Sequence, residues 1–295
     1  MRGEGKRVSS IDREWLIRRI LLVAAMVVVV GLAMVVYFVA KESLPAFREA
    51  GPANLFSATW SPRDGRYGML VFLVGTLTTA AGGLLLGTPL ALSLALFLTQ
   101  VAPRRSRALF ARGVEILAGI PSIVLGWLGF TVLVPWIRKL SGSSGSGILA
   151  ASIILAVMVM PTITAISKDA LEAVPASYAQ ASLAVGATRW QTIWRVLLPA
   201  ARPGILAAVI LGMGRAVGET MAVAMVIGPA SVFPTSLTTP THTLTTKILM
   251  EMGESTGVQR SSLFAMGLVL LLLAMALVLL VRRVSRGREA YKVVE

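Results

Sequence analysis

An all-α integral membrane protein with six transmembrane helices is the fold class this sequence predicts, and three observations carry it. Hydrophobic residues make up 56% of the 295-residue chain and its mean hydropathy is +0.78, far above a soluble domain. Apolar runs long enough to cross about 30 Å of hydrocarbon recur along it. The basic residues behind a formal net charge of +14 gather on alternate connections between those runs, the asymmetry that orients a chain threading a bilayer.

The chain opens on a basic tail, 1–19, holding Arg2, Lys6, Arg7, Arg13, Arg18 and Arg19. Ile20–Ala40 follows without a charge. It is longer than the roughly 7–15 apolar residues of a signal peptide and no small-x-small cleavage site follows, so it reads as a retained anchor. Segment 41–68, with Pro45, Pro52, Pro62 and Gly65, has the length of a small lid. The second span, 69–98, holds Gly82, Gly83, Gly87 and Pro89, which are placed to bend it or to form a re-entrant piece.

Arg104, Arg105, Arg107 and Arg112 precede the third span, 114–136. Glu115 lies three residues from Arg112 as a candidate ion pair. Gly119 and Pro121 are placed to break the helix, leaving the Ser122 hydroxyl for a polar path; a tightly packed, Pro-kinked helix is the alternative. The Ser/Gly run 141–147 reads as a flexible connector to the fourth span, 147–167.

Segment 168–202 is the long hydrophilic interruption and divides into two short helices. Pro175 suits a helix start, small residues follow through Ala181, and Gly186 offers a C-cap. In the second helix Trp190, Ile193, Trp194 and Leu197 share a face opposite Arg189, Gln191, Thr192 and Arg195, with Pro199 as its stop. Such a helix–glycine–helix knob is something a soluble partner can grip, whereas an interfacial amphipathic loop is the plainer reading. The fifth span, 203–230, leads to a Thr- and Pro-rich segment, 231–260, expected to be an ordered loop with a short helix. Its lone His242, beside Pro240, reads as solvated and not as a metal ligand. The sixth span, 261–281, ends in a basic tail, 282–295.

Both tails, the Arg104–Arg112 cluster and the 168–202 loop together outweigh Lys41, Arg48, Arg63, Arg66, Arg138, Lys139, Lys247 and Arg260 on the opposite side. The termini and the 168–202 loop are therefore expected in the cytoplasm. Basic residues at an anionic lipid leaflet account for the net charge without nucleic acid. The sequence holds no Gly-x-x-x-x-Gly-Lys-Ser/Thr loop, no nucleophile–base set, no metal cluster and no cysteine, so neither ATP binding by that route nor enzyme chemistry is expected.

One basic residue, Arg215, falls inside a span. At about 1.5 Å per residue it lies roughly 18 Å above Pro203, near the middle of the hydrocarbon core. A central Arg costs about 2.5–3.5 kcal/mol on insertion scales, so it should face protein or water. Glu219, four residues on, is expected on the same helix face, and Gly214 and Gly218 form an edge that admits a close helix neighbour. A buried pair that only specifies packing is one reading. The other is an anion site: the guanidinium fork suits a tetrahedral oxyanion, and Glu219 can accept the P–O–H proton that phosphate keeps near neutral pH and sulfate lacks.

The run Gln180-Ala181-Ser182, then Gly186, then Val196-x-Leu198-Pro199 resembles the EAA motif of ABC importer permeases. Gln180 stands for the family's glutamate, Ser182 for alanine and Val196 for isoleucine, so no salt bridge is expected from position 180. Gly214-Arg215-Ala216-Val217-Gly218-Glu219-Thr220-Met221-Ala222-Val223 and Leu117-Ala118-Gly119-Ile120-Pro121-Ser122 are similar to the PstC-type phosphate permeases. Sulfate and molybdate permeases share the Arg-x-x-Gly-Glu part, and a transport-free structural subunit is the reading from another class.

The resemblance implies a type I ABC importer permease fold over 20–281 and a substrate path lined by Arg215, Glu219, Thr220 and Ser122. It implies ATPase coupling through Gln180, Ala181, Gly186, Trp190, Leu198 and Pro199. The implied partners are a PstA-like second permease, two PstB-like ATP-binding subunits that hold the ATP and Mg, and a PstS-like phosphate-binding protein.

Overall fold

The computed structural model of the protein describes residues 5–286, so the expected tails 1–19 and 282–295 lie partly outside it. Among the described residues, six helices are long and apolar enough to cross a membrane: Trp15–Ala50, Leu70–Val101, Ser122–Ser141, Ile148–Glu172, Arg189–Gly218 and Gly257–Arg283. The first belongs to α1 (Gly5–Pro45), which a wide π-type turn extends to Ala50. A short α2 (Pro52–Leu55) and a two-stranded hairpin, β1 (Trp60–Ser61) against β2 (Arg66–Tyr67), lead to α3 (Leu70–Leu96). After α4 (Arg104–Gly119), the third span is α5 (Ser122–Leu128) joined through a π-type turn to α6 (Val134–Ser141). Then come α7 (Ile148–Glu172), α8 (Ala176–Ala184), α9 (Arg189–Thr192), α10 (Leu198–Gly218), α11 (Met221–Ile227), α12 (Leu244–Glu251) and α13 (Gly257–Arg286).

The core forms around α7, the most enclosed span. Ala150, Ala151, Leu155, Met158, Val159 and Ile163 are all buried there. α3 lies parallel beside it: Ser152 Oγ donates to the Thr79 carbonyl and Thr164 Oγ1 to the Ala91 carbonyl, both at 3.3 Å and at one constant register. The re-entrant piece offered at Gly82, Gly83 and Gly87 is corrected here. α3 is one unbroken helix through all three glycines and Pro89. A Cβ on Gly83 would stand 2.7 Å from Leu155 Cβ, and one on Gly87 2.9 Å from the Ala156 carbonyl oxygen. The small residues serve close approach.

Three further expectations shift. The third span starts at Ser122, because Ile120 and Pro121 are extended and separate α4 from it, as the Gly119–Pro121 signal anticipated. The 141–147 connector is not a free tether: the Gly147 N–H donates to the Val226 carbonyl at 3.1 Å and Arg138 Nε to the Ser144 carbonyl at 3.0 Å. Among the described residues, Arg112 and Glu115 form no ion pair.

Candidate functional site

The fifth expected span is cut in two, and the cut is where the intramembrane charges lie. α10 ends at Gly218; Glu219 is extended (φ −68°, ψ 129°) and α11 starts at Met221. A break of this kind frees backbone carbonyls that lipid cannot satisfy. Hydroxyls supply them here: Thr220 Oγ1 donates to the Gly218 carbonyl at 3.2 Å and Thr245 Oγ1 to the Glu219 carbonyl at 3.1 Å. The Glu219 carboxylate turns forward, and Oε1 accepts the Ala222 N–H at 3.2 Å, capping the first turn of α11.

The same-face pairing of Arg215 with Glu219 is therefore corrected. That geometry needs the helix to run on through Glu219, and it stops at Gly218. Among the described residues no ion pair joins them. Arg215 is exposed on a stripe with Leu211, Gly214 and Gly218, and nothing lies within 4 Å of a Cβ built at either glycine. The close neighbour expected at this edge does not come from this chain. A guanidinium on a bare glycine stripe of a membrane span is tolerable only against water or a second protein.

Of the other expected path residues, Ser122 is half-buried in the first turn of α5. α5 packs on α11 so tightly that a Cβ on Gly126 would come 2.7 Å from Ala222 Cα. The starts of two helices, Ser122 of one and Glu219–Thr220 of the other, thus converge on one neighbourhood. No hydrogen bond joins Arg215 to Ser122 among the described residues.

The 168–202 connection is the second feature. α8 closes in a Schellman motif: the Gly186 N–H bonds the Leu183 carbonyl at 3.0 Å, the Ala187 N–H bonds the Ser182 carbonyl at 3.2 Å, and Gly186 has φ +84°. Thr188 and Gln191 then form a capping box at 2.8 and 3.2 Å. Ser182 Oγ and Thr192 Oγ1, 2.9 Å apart, tie the two short helices together. Gln180, Ala181, Gly186 and Trp190 all lie on the exposed surface of this knob.

Two expectations about it are corrected. Pro199 does not stop the second helix, for Arg189–Gly218 is continuous. A π-type turn at Ile193–Leu197 makes room for the ring, and the Leu198 N–H bonds back to Ile193. The apolar face also splits: Ile193 and Leu197 are buried, while Trp190 and Trp194 stack edge-to-face at 5.5 Å and stay exposed.

Sequence reasoning missed a polar box at the end of the bundle away from the knob. Lys247, 4% exposed, pairs with Glu251, donates to Ser231 Oγ at 2.9 Å and lies 5.2 Å over the Trp60 ring. Trp60 Nε1 and Gln259 Nε2 each donate to Glu251 Oε2 at 3.1 Å. His242, expected in solvent, is buried against Phe72. Burial, then the neighbouring Lys247 charge, lower its pKa to about 4, against a smaller opposing pull from Glu251. The readable signal was Thr243-x-x-Thr246, which forms a capping box, followed by Lys247 and Glu251 one turn apart.

Six spans, one of them broken beside the charges of Arg215 and Glu219, and a rigid capped knob outside the bundle make a helical membrane protein. The sequence profile of the binding-protein-dependent transport system inner membrane component matches residues 83–289. The probable ABC transporter permease protein YqgH of Bacillus subtilis is 40% identical, over 92% of this chain and 91% of its own. The phosphate transport system permease protein PstC of Pasteurella multocida is 33% identical, over 97% and 98%. A permease chain of a bacterial alginate ABC transporter, solved in complex with its periplasmic protein, superposes with a TM-score of 0.67 at 18% identity over 95% and 96%. The chain belongs to the binding-protein-dependent transport system inner membrane component family, with the type I ABC importer permease fold.

Proposed function

We propose that this chain is the permease subunit of an ATP-driven phosphate importer, and that Arg215 is its anion contact. The observation that carries the site is Arg215 exposed on a bare glycine stripe beside a helix break, with Glu219, four residues on, capping α11 instead. An unpaired guanidinium keeps its full fork of donors for an oxyanion. Glu219 Oε1 is taken by the Ala222 N–H, while Oε2 has no partner among the described residues. Phosphate that retains a proton can donate it to Oε2 while its other oxygens face Arg215. Thr220 and Ser122 add hydroxyls at the converging helix starts.

In this reading the Leu211–Gly218 stripe is where a PstA-like second permease completes the path. The knob is the coupling element, with both termini on its cytoplasmic side as the charge asymmetry indicates. Two PstB-like ATPases, holding ATP and Mg, grip the exposed surface of Gln180, Ala181 and Trp190, and this chain hydrolyses nothing itself. Gly186 keeps the grip rigid, and the unbroken helix through Leu198 and Pro199 carries its movement directly to Arg215. A PstS-like binding protein delivers phosphate at the opposite end.

Uptake of labelled phosphate by the assembled complex carrying Arg215→Gln tests the site. Removing one partner of a desolvated charge contact costs about 3 kcal/mol, so uptake should fall by roughly two orders of magnitude with assembly intact. A wild-type rate removes Arg215 from the path.

A further inference from the structure

We infer that Thr245 is a positioning residue for Glu219, and through it a determinant of selectivity for a protonated oxyanion. This rests on the site reading above and adds a residue from α12, an element outside the path.

Thr245 is 7% exposed and sits in the first turn of α12. Its acceptor fixes which way its hydroxyl points: the Glu219 carbonyl, 3.1 Å away, can only accept, so the Thr245 proton goes to it. The Thr243 hydroxyl stands 2.8 Å from Thr245 Oγ1 and 3.2 Å from Thr246 Oγ1, to which it donates, and Thr246 Oγ1 also reaches the Thr243 carbonyl at 3.1 Å. α12 is itself a fixed support. The Leu244 N–H donates to Thr76 Oγ1 of α3 at 2.9 Å, and Lys247 and Glu251 lock its far turn to the hairpin and α13. Glu219 is thus held at both ends, its carbonyl by Thr245 and its carboxylate by the Ala222 N–H.

The alternative available to this backbone is a continuous helix through Gly218, which would set the Glu219 carboxylate one turn from Arg215. The two charges would then neutralise each other, closing the guanidinium fork and removing the acceptor for a P–O–H group. Thr245 holds the chain out of that state.

The test uses the full complex in proteoliposomes, with labelled phosphate uptake and unlabelled sulfate as competitor. The readout is the ratio of half-inhibiting sulfate to half-saturating phosphate, which a purely structural defect would not move, because it slows both anions alike. Thr245→Val should lower the ratio about fivefold, the factor set by one neutral hydrogen bond of about 1 kcal/mol, and Thr245→Ser should restore it. Thr245→Ala, which removes the hydroxyl without added volume, gives the same reading if the valine complex does not assemble. A wild-type ratio in the hydroxyl-free variants overturns the inference, whatever their rate. Glu219→Gln separates the two levels: if it also leaves the ratio unchanged, the site reading fails; if it lowers the ratio while Thr245→Val does not, only the role of Thr245 fails.

Discussion

Two acid–base pairs in this chain have the same spacing and opposite fates. Lys247 and Glu251 lie four residues apart on α12, the helix runs through both, and they close into a partly buried ion pair ringed by Trp60, Gln259 and Ser231. Arg215 and Glu219 are also four apart, but the helix ends between them, the carboxylate caps α11, and the guanidinium stays exposed. Spacing proposes a pair; backbone continuity decides whether it forms. The closed pair belongs to architecture, fastening α12 to the hairpin and α13. In the open pair neither charge is satisfied by the other, which is the condition the proposed anion site requires.

Substitutions at the two pairs should therefore fail in different ways. The largest effect falls on the open one, where Arg215→Gln removes transport without removing the complex. Lys247→Met should do the reverse. It leaves the Glu251 carboxylate half-enclosed without its partner, which costs about 3 kcal/mol. Thermal unfolding of the complex should show that loss, while uptake per assembled complex stays near wild type. A selective loss of uptake at normal stability would move Lys247 from architecture to path and break the distinction.

Acid sharpens it further. Folded His242 resists protonation down to about 4, whereas the unfolded residue takes up a proton below its ordinary 6.5. The stabilisation is complete above 6.5 and drains as the pH falls toward 4, with about 2 kcal/mol of it lost by pH 5. Unfolding of the complex followed between pH 7 and 5 should show that slope, and His242→Gln should flatten it. An equal slope in the variant would place the acid sensitivity elsewhere.

Much of this was legible in the residues. Six apolar runs gave the spans, Gly119–Pro121 gave the break before Ser122, and Gly186 gave the capped turn of the knob. Other features depend on neighbours that a single segment does not reveal. Gly82, Gly83 and Gly87 look like a hinge in isolation, and only the contact with α7 makes them a packing surface. Pro199 reads as a stop until a π-type turn absorbs its ring. His242 looks solvated until Phe72 and Lys247 enclose it. At the site, the residue types were readable but their pairing was not, because Gly218 and Glu219 leave the helix at the position where periodicity assumes it continues.

The central claim is that the face of α10 bearing Arg215 meets water and a passing anion. The natural sequence has no cysteine, so Gly218→Cys, at a position with nothing within 4 Å of an added Cβ, places one thiol on that face. Labelling it with a charged, water-soluble thiosulfonate in the assembled complex, with and without phosphate, reads the claim directly. The account predicts labelling in at least one nucleotide state and protection by phosphate; no labelling in either the nucleotide-free or the ATP-trapped complex would contradict it.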